Sequence, residues 1–127
     1  MIIQCGVSLG ELVDKISILH IKKRFLQDKA KLVHVEKELS VLMETLNGLG
    51  FSKIQDHLEG LIEVNTKLWK IEDDIREKER NKEFDDDFIR LARSVYITND
   101  ERFLKKDAVN QEFGSTLQEV KSYSKYS

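Results

Sequence analysis

Apolar side chains recur every three or four residues through most of the chain, the spacing that keeps one face of an α-helix against a core. Leu9, Leu12, Val13, Ile16 and Leu19 share one face of a first helix expected over residues 9–26, and Ile18, Ile21 and Phe25 line the opposite face. A helix apolar on two sides is predicted to be wedged between neighbours. Ser8, followed three residues later by Glu11, has the spacing of a capping box, which satisfies two otherwise orphaned amides. Leu32, Val35, Leu39, Leu42, Met43 and Leu46 make a single stripe over residues 29–47, so this second helix belongs on the outside, with Asp28 as its cap. Asn47-Gly48-Leu49-Gly50 ends it, glycine supplying the left-handed residue that such ends favour. A third helix, capped by Ser52, is predicted to run to about Arg80 on a stripe that includes Ile54, Leu58, Leu61, Ile62, Leu68, Trp69 and Ile75. An acidic connection over residues 81–87, in which Asp85 or Asp86 can cap, leads to a last long segment that Gly114 closes.

That last segment carries the least ordinary pattern. Its stripe reads Phe88, Ala92, Val95, Asn99, Arg102, Lys106, Val109, Phe113: apolar at both ends, an amide and two cations in the middle. A buried, unpaired cation costs several kcal/mol, so such a stripe implies charges that are paired or wet. The third helix repeats the anomaly with Asn65 and Glu72 at stripe positions. On the first helix, Asp14 falls on the side of Ile18, Ile21 and Phe25, and Glu11 lies beside it. Arg93, Tyr96 and Asp100 flank the cations. Whether the segment is one helix or two is open, because Thr98 and Glu101 repeat the capping-box spacing.

Beyond the helices, residues 1–7 read as an extended arm or short strand, Leu117 and Val120 as one short docked stretch, and residues 121–127 as a tail. The expected fold class is all-α: a single domain over residues 1–127 built as an antiparallel bundle of four to five helices with short loops. Length supports one domain, since the chain has 127 residues. Charged residues make up 35% of it with both signs mixed and a net charge of −2, which is not the basic balance of a nucleic-acid binder. Proline is absent, so long helices can run unbroken. The single cysteine, Cys5, excludes an internal disulfide and any zinc site with two or more cysteines. No apolar run approaches the ~20 residues that span a bilayer, and the N-terminus lacks the pattern of a secretion signal. A cytoplasmic protein without cofactor, nucleic-acid or membrane partner is the expectation, self-associating as a homodimer.

The candidate site is the inter-helix polar cluster: Glu11, Asp14, Asn65, Trp69, Glu72, Arg93, Tyr96, Asn99, Asp100, Arg102 and Lys106. In one reading it is a pocket. Arg102 and Lys106 hold a carboxylate or phosphate, with Arg the better bidentate partner, while Tyr96 and the asparagines orient it and Trp69 forms an apolar wall. This makes the protein a binding or interaction module for a small anion. In a second reading the same cations serve a small enzyme acting on an anionic metabolite, with Glu72 or Glu11 as acid or base. In a third, the charges pair with one another and only set helix register. Magnesium is a weaker idea: Glu11 and Asp14 have the i, i+3 spacing of all-α pyrophosphohydrolases, but Arg76, Lys78 and Arg80 interleave the acids of the third helix as surface partners. His20, His34 and His57 share no zinc spacing, and no phosphate loop, nucleophile elbow or Cys–His pair is present.

Four motifs carry a resemblance: Ser8-Leu-Gly-Glu-Leu-Val-Asp-Lys-Ile-Ser-Ile-Leu, Leu68-Trp-Lys-Ile-Glu-Asp-Asp-Ile-Arg, Leu91-Ala-Arg-Ser-Val-Tyr-Ile-Thr-Asn-Asp and Lys121-Ser-Tyr. Together they resemble an uncharacterised family of small all-helical bacterial proteins, a domain of unknown function. The resemblance implies a bacterial or phage source and no particular activity. Locally, Leu12-Val-Asp-Lys-Ile-Ser-Ile-Leu is similar to the first helix of the all-α chorismate mutases, which bind a dicarboxylate between helices with arginines and a lysine. Val13 and Ala30 stand where that family carries its first two arginines, which puts mutase activity in doubt.

Overall fold

Ser8 stops the N-terminal segment and starts the first helix by accepting a hydrogen bond from the Glu11 amide. The computed structural model describes residues 1–126, and Ser127, the last residue of the expected tail, lies outside the described residues. Four helices follow one another: α1 (Leu9–Phe25), α2 (Lys29–Gly48), α3 (Ile54–Arg80) and α4 (Asp86–Phe113). The fold class is therefore all-α, with no strand among the described residues, and residues 1–7 carry neither helix nor strand. None of the described helices is long and apolar enough to cross a membrane.

α1 packs against all three other helices, as its two apolar faces require. Val13, Ile16, Leu19 and Ile21 are buried around it, and Val35, Leu39 and Leu46 of α2, Leu58, Leu61 and Val64 of α3 and Val109 of α4 close the core. Only Val35, Leu39 and Leu46 of α2 are buried, the single stripe of an outer helix. Across α3 and α4, side chains meet at 57 with 112, 67 with 101 and 78 with 85, numbers rising on one helix as they fall on the other. The two helices are thus antiparallel. Their lengths of 27 and 28 residues correspond to about 40 Å each, against about 25 Å for the 17 residues of α1, so their far ends project beyond it.

Three details are decided only by the structure. α4 runs unbroken through Thr98, which is buried in mid-helix, while Glu101 reaches across to Lys67 on α3 instead of capping. With no glycine or proline between 86 and 113, nothing compels a break. Lys53, not Ser52, precedes α3, and no side chain caps it. Among the described residues no fifth helix follows α4. Gly114 adopts a left-handed conformation (φ 66°), and residues 115–126 turn back without helix, with Val120 exposed instead of docked.

The start of α1 is clamped to the end of α4. The amides of the first turn have no partner within a helix. Here the Leu9 amide donates to Ser115 Oγ (3.1 Å) and the Gly10 amide to Asn110 Oδ1 (2.7 Å), both from the far end of the chain. Asn110 is buried, and a Cβ on Gly10 would fall onto the Lys106 carbonyl oxygen and the Asn110 side chain. Only glycine lets the two backbones approach this closely. Gly10→Ala is expected to destabilise by about 1–3 kcal/mol through forced separation of α1 and α4. Asn110→Ala should lose about as much by leaving a buried amide unsatisfied. Urea denaturation measures both, and a loss under about 0.5 kcal/mol for either would show that the clamp is not tight.

Candidate functional site

One turn after Gly10, α1 buries a carboxylate. Asp14 is 1% exposed and has partners from two other helices. From α4, Arg102 donates through Nε to Oδ1 (2.9 Å) and through Nη2 to Oδ2 (2.6 Å), a side-on bidentate pair. From α3, the buried Asn65 donates through Nδ2 to Asp14 Oδ1 (2.9 Å) and to Ser17 Oγ (2.8 Å), while the Ser17 hydroxyl donates to the Asp14 carbonyl. Both carboxylate oxygens thus accept, Oδ1 from Arg102 and Asn65 and Oδ2 from Arg102. Asp14 in turn raises the Arg102 pKa above its ordinary value, chiefly through these hydrogen bonds, so the guanidinium stays charged.

Lys106 stands one turn further along α4, with its side chain 8% exposed. Its ammonium lies 2.8 Å from Glu11 of α1 and 2.8 Å from Glu119, beyond the end of α4. Burial pushes its pKa down, and the two carboxylates outweigh burial and raise it. The Glu119 oxygen in this contact is itself buried, and Lys106 is the cation that faces it.

Arg102 borders two openings. A cavity of about 180 Å³ is lined by Asn99, Arg102, Phe103, Lys106, Glu119 and Lys121. A groove of about 420 Å³ has an apolar wall of Ile18, Ile21, Leu68 and Trp69, and a polar side formed by Asn65, Glu72, Asp73, Arg76 and Arg102. A guanidinium has five N–H donors. Asp14 takes two, and Asn99 accepts from Nη1 at a long 3.5 Å, which leaves donors of the 26% exposed Arg102 side chain available.

Of the eleven residues singled out from the sequence, Glu11, Asp14, Asn65, Asn99, Arg102 and Lys106 converge. Trp69 borders the groove and stacks on Phe25 with centroids 6.0 Å apart. Glu72 also borders the groove, but its carboxylate pairs with Arg76 (3.2 Å) along α3 and not with Arg102. Arg93 is exposed and takes no part in the cluster. Tyr96 is exposed, edge-on to Tyr126 (5.3 Å), and Asp100 accepts from the Tyr126 hydroxyl (2.8 Å) with Lys121 at 3.7 Å. These last two therefore hold the C-terminal segment instead of facing the Asp14 pair.

Glu11 and Asp14 each face a cation, and no group of three acidic, His or Cys side chains suited to a metal gathers among the described residues. Val13 is a core residue and Ala30 an exposed one at the start of α2, so neither position offers a charged group. Ser17, Glu119 and Lys121 escaped the sequence reading. Ser17 was within reach of it, three residues after Asp14 on the same helix face. Glu119 lies in a segment without periodicity and carried no signal, and Lys121, though part of the Lys121-Ser-Tyr motif, stood in the expected tail.

Removing one partner of a buried pair strands the other charge. Arg102→Met alone is expected to cost about 3 kcal/mol or more, whereas Asp14→Asn/Arg102→Gln, which removes both charges and keeps hydrogen-bonding groups, should cost distinctly less. A double-mutant cycle read by urea denaturation should give a coupling of about 2 kcal/mol or more. Additive losses would mean that the two residues stabilise the fold independently.

Compared with known proteins, the chain matches one family along nearly its whole length, over residues 3–126, and that family is described as one of unknown function, DUF6165. No curated protein and no solved structure matches it. The stretch matched contains all four helices and every residue of the polar cluster, and the chain belongs to this DUF6165 family.

Proposed function

We propose that this helical bundle is a cytoplasmic binding module that holds a small organic anion in the groove between α1, α3 and α4. The observation that carries the reading is the position of Arg102. Its guanidinium is oriented by a buried carboxylate, is only partly occupied by it, and opens onto a groove whose far wall is apolar. A side chain held by a partner behind it loses little entropy when a ligand arrives. The lining selects the ligand class. Ile18, Ile21, Leu68 and Trp69 suit an alkyl or ring body, and the free donors of Arg102 suit a carboxylate at its end. Because Glu72 is paired with Arg76, the carboxylate that an enzyme reading requires as acid or base is engaged along its own helix, and a binding role is favoured over a catalytic one.

The protein contains a single tryptophan, and it borders the groove. Titration with hexanoate or cyclohexanecarboxylate is expected to change Trp69 fluorescence saturably, with inorganic phosphate at equal ionic strength giving no such change. The Asp14→Asn/Arg102→Gln variant should lose the response while remaining folded by circular dichroism. A flat titration of the wild type at up to about 20 mM, a concentration reporting binding weaker than about −2.5 kcal/mol, would leave register setting as the role of the cluster.

Self-association as a homodimer belongs to the same proposal. The projecting ends of α3 and α4 leave Phe84 and Ile89 exposed, and one face of a second copy could cover them. Sedimentation velocity should show a dimer for the wild type and a monomer for Ile89→Glu. A wild-type monomer at about 100 μM, near the upper range of weak but specific association, would remove this part.

A further inference from the structure

Helix α4 carries a second pattern, on the side away from the core. Ile89, Arg93, Ile97, Asp100 and Leu104 follow one another at steps of three or four residues. At 100° per residue they fall within an arc of about 80°. Leu91, Thr98 and Val109, which α4 buries, lie on the opposite side. The three aliphatic side chains of the stripe face water: Ile89 is 54% exposed, Ile97 36% and Leu104 65%. The C-terminal segment runs along the edge of the stripe without covering them. Tyr126 meets Tyr96 and Asp100 there, and Lys121 meets Phe103. Arg93 stands one turn from both Ile89 and Ile97 and is exposed. Nearby cations have partners, Arg90 in Asp87 (3.6 Å) and Lys121 in Asp100 (3.7 Å), whereas Arg93 has none among the described residues.

From Ile89 to Leu104 the stripe runs apolar, cation, apolar, anion, apolar. In reverse it is the same with the charges exchanged. Such a face is complementary to a second copy of itself laid antiparallel, where every contact is made twice. With Ile89 opposite Leu104 of the second copy, Arg93 falls opposite Asp100, and the two Ile97 side chains meet near the twofold axis. A parallel pair sets Arg93 against Arg93 and Asp100 against Asp100, which like-charge repulsion opposes. The antiparallel register brings like charges opposite each other only at the ends, at Asp86 and Asp107, where water and salt screen them.

We propose that the outer face of α4 is a self-association surface, on which two copies of the chain pair antiparallel through Ile89, Arg93, Ile97, Asp100 and Leu104. The pairing rests on the homodimer proposed above and gives it a face, with Ile89 covered by Leu104 of the second copy. It spans about 23 Å of helix between residues 89 and 104. Three aliphatic side chains from each copy form a small apolar centre, and the two Arg93–Asp100 pairs form a charged rim. That is the make-up of a reversible contact, smaller than an obligate interface. Arg102, nine residues after Arg93, points about 180° away from it, so the groove stays open in the dimer.

The experiment is sedimentation velocity of the full chain at about 100 μM, with circular dichroism to confirm that each variant is folded. Ile89→Lys and Leu104→Glu alter exposed positions, and each sets a charge against an aliphatic side chain of the second copy, so each alone should sediment as a monomer. Mixed in equal amounts they should form a heterodimer, because the new ammonium of one copy faces the new carboxylate of the other. Arg93→Glu should weaken the wild-type dimer about tenfold or more by reversing both rim pairs. If Leu104→Glu stays dimeric, self-association stands but uses another face, and this proposal is overturned. A mixture that remains monomeric overturns the antiparallel register and the proposal with it. A wild-type monomer removes the homodimer and this face together.

Discussion

A carboxylate taken out of water must find its partners inside the protein, and Asp14 finds them on two other helices at once. Its oxygens accept from Arg102 of α4 and Asn65 of α3. Rotating any of the three helices by one residue, about 100°, would turn one partner away and leave a charge or amide buried alone. The pair contributes less to stability than to choosing one arrangement, since the desolvation of both ions offsets much of their attraction. Its depth is set one turn earlier, where Gly10 allows α4 to approach and Asn110 accepts from its amide. That contact fixes how far α4 slides along α1. The geometry of Arg102 against Asp14 follows from it.

The same arrangement limits which charges of the polar cluster are free. Asp14 and Arg102 neutralise each other, and Lys106 sits between two carboxylates, so no naked cation waits inside the protein. What remains is directional: donors of a guanidinium whose orientation is already decided. On one side they meet apolar walls contributed by α1 and α3, on the other a small polar cavity bordered by the C-terminal segment.

Much of this was legible along the chain. The stripes of α1 and α2 foretold a central and an outer helix, because burial on a helix repeats with its own turn and needs no knowledge of the partner. Ser8, Asp28, Asp85 and Gly114 marked the helix ends through local bonds. Polar interruptions at Asp14, Asn65, Asn99, Arg102 and Lys106 flagged a cluster, since charge on a buried face demands company. The capping-box spacing held by half at Ser8, which accepts from the Glu11 amide while the Glu11 carboxylate turns to Lys106. At Thr98, where a break was open, Glu101 pairs with Lys67 across the helices.

Local patterns therefore established that the chain is helical, where its helices start and stop, and which side chains must avoid isolation. They could not say who answers whom. The pairing of Asp14 with Arg102, of Gly10 with Asn110 and of Lys106 with Glu119 joins positions far apart in the chain, and such distances close only when whole helices pack. Glu72 shows the converse. It holds a stripe position, yet it pairs along its own helix with Arg76. Helix length relative to neighbours, and the path of a segment without periodicity, are properties of the assembled fold. No single turn of helix contains them.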